Sequence, residues 1–467
     1  MEALAKIELK MRQAGARPAA IQSFRRNYLT LVSGATGLIP ETAIRPVGEL
    51  PRQEELPRDL APETIAGLIA RTVVIKLNGG LGTSMGLEWP KSLINVKHGW
   101  NFLDFTARQV LHLREKYRAP LRLLFLNSFN TSRDTLEHLR RYPMLATDVP
   151  VEFVQSKAPK LRADTLTAVE WPANPELEWC PPGHGDIYPT LLDTGLLDEF
   201  ARLGIEHLFI SNADNLGANL DLGLLAYFAG QGLPFLMEVA ERTPSDRKGG
   251  HLARAADGGG LLLRESAQCA ADDEAAFQDI TRHRFFNTNN LWVSVSALRA
   301  ALDANGGILP LPLMRNVKTV DPTDPASPRV EQLETAMGAA IALFAGAGAM
   351  VVSRRRFAPV KTTADLLALR SDAYVVNDDY TLALAAARRG LPPKINLDER
   401  HYKIMARFEA AFGAQVPSLV AADVLTVTGA VACAAGVTVS GTVEVVNAGT
   451  ARQPWPAGVY HNRRVEL

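Results

Sequence analysis

Several separated strings carry side chains suited to holding phosphate, a planar base and a cation. The first is Val73–Ser92, VVIKLNGGLGTSMGLEWPKS. Gly79, Gly80, Gly82 and Gly86 let a backbone turn sharply and bring its N–H groups near an anion. Lys91 puts a cation close by in the chain. A strand, a glycine-rich loop and a lysine together suit a triphosphate. The spacing is not GxGxxG, because the glycine after Gly82 is Gly86, and no Lys-Ser or Lys-Thr follows a glycine as GxxxxGK[ST] requires. Taken alone, the string also reads as a tight turn after a core strand.

In Trp179–Asp186 (WCPPGHGD), prolines stiffen the approach to Gly183 and His184, and glycines open a surface to a planar ring. Gln155 follows the apolar run Val151–Val154, and its amide offers a donor and an acceptor in one plane. That suits a base edge with carbonyls on both sides of one N–H. A plain loop glutamine and a structural histidine are the alternatives for Gln155 and His184. Asp214, in SNADN, follows the run Ile205–Ile210. A carboxylate at a strand end beside a triphosphate is a natural Mg²⁺ ligand, since Mg²⁺ takes one or two carboxylates plus phosphate oxygens and water. Elsewhere such an Asp caps a helix or a turn. Lys361, in PVKTTADL, precedes the cap-type Thr363 and Asp365, so it stands at a helix start favourable to anions.

In this order, LNGGLGTSMG…PKS, PPGHGD, SNADN and PVKTTxDL resemble the UTP–glucose-1-phosphate uridylyltransferases (UDP-glucose pyrophosphorylases) of the eukaryotic type. The resemblance runs from about residue 73 to 380 and resumes in the C-terminal β segment. It implies a reversible transfer of uridylyl from UTP to glucose 1-phosphate, giving UDP-glucose and pyrophosphate with Mg²⁺ as cofactor. Leu77, Asn78, Gly79, Gly80, Lys91, Gln155, Gly183, Asp214 and Lys361 would then hold UTP. Gln155 and the Gly183 backbone would read uracil. Gly79, Gly80, His184, Asn212, Ala213, Asp214, Lys248, Gly249 and Asn289 would hold the sugar phosphate. Lys91, Lys361 and Asp214 would carry catalysis, with Mg²⁺ on Asp214. The wider sugar nucleotidyltransferases usually carry Arg where this chain has Ser84, which favours the uridylyltransferase branch and leaves the phosphate charge to other cations. The rival readings are a pyrophosphorylase for galactose 1-phosphate or N-acetylglucosamine 1-phosphate, and a nucleotide-sugar-binding regulator without catalysis. Lys91, Asp214 and Lys361 together speak against the regulator.

The elements that must position these residues follow from the hydrophobic pattern. Val73–Ile75, Leu121–Leu126, Val151–Val154, Ile205–Ile210, Pro234–Val239 and Leu291–Val295 read as strands. Helical patterns fall at Ser132–Arg141, Leu191–Leu203 and Glu331–Phe344. The alternation predicts an α/β fold, a Rossmann-like, mostly parallel mixed sheet flanked by helices, with ligands beyond the carboxyl ends of the strands. Residues 1–70 read as a helical then irregular segment, 71–390 as the nucleotidyltransferase domain and 391–467 as a C-terminal β domain. There, TVTGAV at 426–431 recurs as TVSGTV at 438–443, a twelve-residue shift. It suggests β-solenoid coils, with a β-meander as the alternative. The resemblance implies a left-handed β-helix, whose exposed edge would pair two copies or leave a monomer cap.

At 467 residues the chain is too long for one ordinary core. Lys+Arg and Asp+Glu both number 50. No global field therefore draws nucleic acid or membrane, and a polyanion must meet a local cluster. The scattered Cys180, Cys269 and Cys433 suggest neither a disulfide framework nor a metal site and fit a reducing, cytoplasmic location. The charged N-terminus does not read as a signal peptide. The uncharged Thr335–Ser353 stretch is interrupted by Gly338, Gly346 and Gly348. It reads as a buried helix, a turn and a strand rather than a membrane span.

Overall fold

The computed structural model describes every residue except Met1, Arg58 and Ala414. A ten-stranded sheet forms its centre. The strand Thr72–Asn78 lies in the middle. Its Val73, Val74 and Ile75 are β-branched, stiff at χ1 and buried, as suits a pleat covered on both faces. Arg122–Asn127 and then Glu152–Val154 run parallel on one side, and His207–Asn212 runs parallel on the other. Phe285–Ser294 comes next, antiparallel both to His207–Asn212 and to Phe235–Glu241. Phe235–Glu241 pairs in parallel with Gly348–Val351. His251–Ala255, Leu261–Arg264 and Ile44–Pro46 close one flank in antiparallel register.

The two-residue period of the strands divides the core between the two faces. Val74, Phe125, Phe209 and Trp292 pack with Leu103, Val110 and Leu224 of the helices Phe102–Tyr117 and Leu222–Gly230. Val73, Ile75, Leu208 and Leu291 pack with Leu191, Phe200 and Leu298 of Ile187–Asp193, Leu196–Arg202 and Val295–Ala304. The N-terminal helices Glu2–Gln13 and Pro18–Val32 bury Leu4, Ile7 and Phe24 against Leu161, Leu313 and Leu333.

Two helical expectations change. Leu191–Leu203 is broken at Gly195, which takes φ +74 between two short helices. Glu331–Phe344 is not a helix. Arg329–Glu334 is a strand paired with Met314–Thr319 and with Leu161–Arg162, followed by a 3₁₀ stretch, Met337–Leu343. Ladder pairing on both sides outweighs the local helical pattern there. The uncharged stretch ends in a turn at Gly346 and the strand Gly348–Val351. No helix among the described residues is long and apolar enough to cross a membrane.

At the C-terminus, Lys394–Leu397, Ser418–Thr428, Val437–Val446 and Gly458–Glu466 lie side by side in parallel, and Val431–Cys433 pairs in parallel with Gln453–Trp455. The register is not the twelve-residue shift. Thr426 faces Glu444 and Val443 faces Arg463, eighteen and twenty residues on. A further short strand, Val431–Cys433, and glycine corners such as Gly429 and Gly436 at positive φ lie between the paired strands Ser418–Thr428 and Val437–Val446, so the two similar strings do not face each other. Leu425, Val427, Val443 and Val445 share one apolar cluster with Met85, Leu87, Leu216 and Val360. The C-terminal strands thus pack against the same core as the glycine-rich loop.

Candidate active site

The glycine-rich loop leaves the sheet at Asn78, whose amide donates to Asn127 Oδ1 at 2.8 Å and Thr135 Oγ1 at 2.9 Å. A Cβ at Gly79 would lie 2.7 Å from the Gln155 amide nitrogen, and one at Gly82 would lie 2.6 Å from Leu87. These glycines are therefore needed for close approach. Leu81 bridges Pro90, and the Lys91 N–H donates to Gly80 O at 3.3 Å. This closure brings Lys91 back over the strand ends, where its Nζ stands 2.7 Å from Asp214 Oδ2.

The Asp214 loop is stitched to the same strand end by Ala213 N–H donating to Leu77 O at 3.0 Å. Asn212 Oδ1 accepts from Asn289 Nδ2 at 3.0 Å. Asn289 sits at φ +63, a conformation Asn tolerates better than most residues. Behind the loop, Asn215 Nδ2 donates to Arg356 O and its Oδ1 accepts from Ala358 N–H, both at 3.0 Å. Arg356 is buried in a bidentate pair with Glu238, with contacts of 2.7 and 2.8 Å. Trp292 Nε1 and Asn290 Nδ2 each donate to Glu238 at 2.9 Å. The segment after Arg356 continues to Val360, whose N–H donates to Asp214 O at 3.2 Å.

Gln155 is held by its own N–H, which donates to Asn127 O at 2.8 Å. The next N–H, of Ser156, donates to Asp186 Oδ2 at 2.6 Å, and Thr190 Oγ1 donates to the same oxygen at 2.8 Å. Burial raises the Asp186 carboxyl to about 6 against these bonds. Gly183 has φ +83, and a Cβ there would lie 2.4 Å from Thr335 O. His184 Nδ1 accepts from the Met337 N–H at 3.0 Å. A backbone N–H can only donate, so the neutral ring carries its proton on Nε2. Burial pushes His184 down to about 4, which keeps it neutral at physiological pH.

These groups surround one cavity of about 300 Å³ at the carboxyl ends of the parallel strands. Leu77, Asn78, Gly79, Gly80, Lys91, Gln155, Gly183, His184, Asn212, Ala213 and Asp214 all line it. Asn289 stands one hydrogen bond behind Asn212. Lys361 does not line the cavity: its side chain is exposed and its ammonium lies 5.7 Å from the centre of the Phe357 ring. A carboxylate already stands at the helix start beside it. Asp365 Oδ2 accepts from the Lys361 and Thr362 N–H groups at 2.9 and 2.8 Å. Lys248 and Gly249 lie outside the cavity as well, in the exposed loop after Phe235–Glu241, where Gly249 N–H donates to Asp246 O at 2.9 Å.

Ser92, Leu126 and Pro181 complete the lining without having been singled out in the sequence. Each had a signal: Leu126 pairs with Leu77 near the end of its strand, and the other two sit inside the PKS and PPGHGD strings. The Glu238–Arg356 pair had none.

The sequence model of the UTP–glucose-1-phosphate uridylyltransferase family matches residues 21–440. The chain belongs to that family. The uridylyltransferase of Saccharomyces cerevisiae is 40% identical over 387 residues, which are 82% of this chain and 75% of that one. The uridylyltransferase of Solanum tuberosum is 38% identical over 398 residues, covering 85% and 81%. Among solved structures, a mutant UDP-glucose pyrophosphorylase from Leishmania major in complex with UDP-glucose is 46% identical with a TM-score of 0.93, and both chains are covered in full, 100% each. A structure described as UDP-glucose phosphorylase from Trypanosoma brucei gives 46% identity and a TM-score of 0.91, again over 100% of both chains.

Proposed function

We propose that this chain transfers uridylyl from UTP to glucose 1-phosphate, releasing pyrophosphate, and runs the reverse. One observation carries the reading above the others. The loop amides at Gly79 and Gly80, Lys91, Gln155, His184 and Asp214 meet around a single cavity at the sheet's carboxyl edge. The family membership points to the same chemistry.

The sugar phosphate is its own nucleophile, so the protein needs no covalent intermediate. Its task is to align the attacking oxygen, the α-phosphorus and the departing pyrophosphate, and to meet their charge. Gln155 and the Gly183 backbone read uracil. The Gly79–Gly80 amides and Lys91 receive UTP phosphates. His184, neutral with its proton on Nε2, donates to the glucose 1-phosphate. Asn212, with Asn289 behind it, faces the sugar phosphate, and Lys248 and Gly249 serve that side when their loop approaches. Lys361 acts on the developing pyrophosphate charge from the segment pinned to Asp214.

The donor set fits Mg²⁺. No group of three His, Cys, Asp or Glu side chains that could hold a metal exists among the described residues. A single carboxylate with phosphate oxygens and water is the coordination that Mg²⁺ accepts. Asp214 would supply that carboxylate, its Oδ2 carrying Lys91 and its Oδ1 remaining. When bound, the ion supplies neutralisation of phosphate charge.

The parallel C-terminal strands support a β-helix for residues 391–467, beside a catalytic unit over 71–390 and an N-terminal segment over 1–70. Assembly through an exposed edge of that β-helix belongs to the same proposal. A coupled pyrophosphate-release assay with UTP and glucose 1-phosphate, galactose 1-phosphate or N-acetylglucosamine 1-phosphate tests the reading. Release should be strongest with glucose 1-phosphate. Equal release with another sugar phosphate would reassign the substrate, and none with any would remove the activity.

A further inference from the structure

A second cavity, of about 140 Å³, lies between the helix Phe102–Tyr117 and the chain Asn219–Leu222. It sits against the sheet face that carries Val74 and Lys76. Lys76 lines it and is 4% exposed. The Lys76 ammonium donates to Ser211 Oγ at 2.8 Å and to Ala218 O at 2.6 Å. An ammonium has three donors, so one N–H is left over. Asn219 also lines the cavity, and its Oδ1 accepts from Arg356 Nη1 at 3.0 Å. Its amide NH₂ has no protein partner among the described residues. Lys116 stands exposed in the lining. The one carboxylate there, Asp379, is turned to its own loop, its Oδ1 accepting from Thr381 N–H at 3.0 Å and Oγ1 at 2.6 Å. Val74, Val110, Leu113, Leu220 and Leu222 form an apolar stretch of wall, beside the polar Thr106, Gln109, His112 and Thr381.

We propose that this cavity binds a small organic carboxylate, with its head on Lys76 and Asn219 and its apolar body against Val110, Leu113 and Leu222. A spare donor on buried Lys76, another on half-buried Asn219 and an apolar stretch of wall suit an amphipathic anion better than phosphate, which has no apolar part. The cavity, about 140 Å³ and open at one side, suits a short-chain acid. Burial, and after it the Arg356 charge, push the Lys76 amine down to about 7, with Glu238 and Asp214 opposing. An anion at the spare N–H relieves that cost.

The cavity borders the loop that carries Asp214. Lys76 holds Ser211, which precedes Asn212. Asn219 accepts from Arg356 through both Oδ1 and its backbone oxygen, and Arg356 O accepts from Asn215. Occupancy therefore bears on the Asp214 loop, an effect on turnover that rests on the proposed transferase reaction.

Calorimetric titration of the full chain with valerate, inorganic phosphate and butylamine tests the site. Valerate should bind, butylamine should not, and phosphate should bind at least tenfold more weakly. Lys76→Met should weaken valerate at least tenfold. Leu113→Trp, which fills the cavity from a half-buried position, should do the same with the lysine intact, and thermal unfolding would check that both variants fold. No valerate binding at tens of millimolar, or binding undiminished in both variants, overturns the site. Phosphate binding as tightly as valerate overturns the carboxylate assignment. In the same samples, valerate should shift the UTP KM of wild type and not of Leu113→Trp, and no shift overturns the coupling. Lys76-dependent valerate binding in a protein without transferase activity would uphold the site and reject the functional reading alone.

Discussion

Lys91 Nζ and Asp214 Oδ2 stand 2.7 Å apart across the mouth of the glycine-rich loop, 123 residues apart in the chain. Their side chains are 20% and 23% exposed, so the pair borders water inside the cavity. Pairs with such access contribute about 0–1 kcal/mol to stability. The pair instead holds a cation and a carboxylate at one point, as the proposed binding of a triphosphate and Mg²⁺ requires. Asp214→Asn should accordingly change unfolding free energy by about 1 kcal/mol or less. Urea unfolding followed by circular dichroism checks this. A loss of several kcal/mol would make the pair a structural clamp.

The two lysines should differ in kind. Lys91 is already in the cavity, whereas the Lys361 side chain lies over the Phe357 ring. Lys91→Ala should weaken UTP binding and slow turnover, each at least tenfold, because charge-assisted contacts are worth roughly 1.5–3 kcal/mol. Lys361→Ala should slow turnover with little change in UTP affinity, as when an interaction is made only in the transition state. Equilibrium binding and single-turnover rates on both variants decide the matter. Equal losses of UTP affinity would falsify the division of roles.

Gly79 and Gln155 act as one unit. A methyl group at Gly79 would press on the Gln155 amide nitrogen from 2.7 Å. Gly79→Ala should therefore behave like Gln155→Ala. Both should weaken UTP binding by about 1–3 kcal/mol and narrow its advantage over CTP. Titration with the two nucleotides is the check, and Gly79→Ala binding with full UTP preference would separate the loop from base reading.

Much of this site was legible in the sequence because strand ends are. The strands ending near Leu77, Leu126, Val154 and Asn212 are parallel neighbours, so the polar strings after them had to share one edge. The Lys91–Asp214 pair was not legible, since nothing local says where a loop fourteen residues beyond Leu77 returns. Asp365 looked like a helix-start marker, and it is one, but its carboxylate accepts from the Lys361 and Thr362 N–H groups and puts a negative charge where an anion was expected. The C-terminal repeat misled for a geometric reason: Thr438 lies opposite Ser418, not Thr426, because the short strand Val431–Cys433 and its corners separate the paired strands.

Acid should destabilise the fold through its buried histidines. Burial, and next the charge of stacked His283, push His251 down to about 3, and burial pushes His184 down to about 4. The unfolded chain binds these protons near 6.5, so it holds more protons than the folded chain below that pH, and stability falls as pH drops from about 6.5 toward 4. Asp186, raised to about 6, works in the opposite sense between about 6 and its unfolded value near 3.9. Thermal unfolding between pH 6.5 and 5 should show a falling Tm, and His251→Phe should flatten the slope. An unchanged slope would mean that His251 accepts its proton in the fold.

Phosphorus NMR of the full chain with UTP, glucose 1-phosphate and Mg²⁺ tests the central claim most directly. Wild type should convert UTP into UDP-glucose and pyrophosphate in equal amounts. Asp214→Asn, folded to the same degree, should do so at least a hundredfold more slowly. UTP loss without UDP-glucose, or an undiminished rate in Asp214→Asn, would contradict the account.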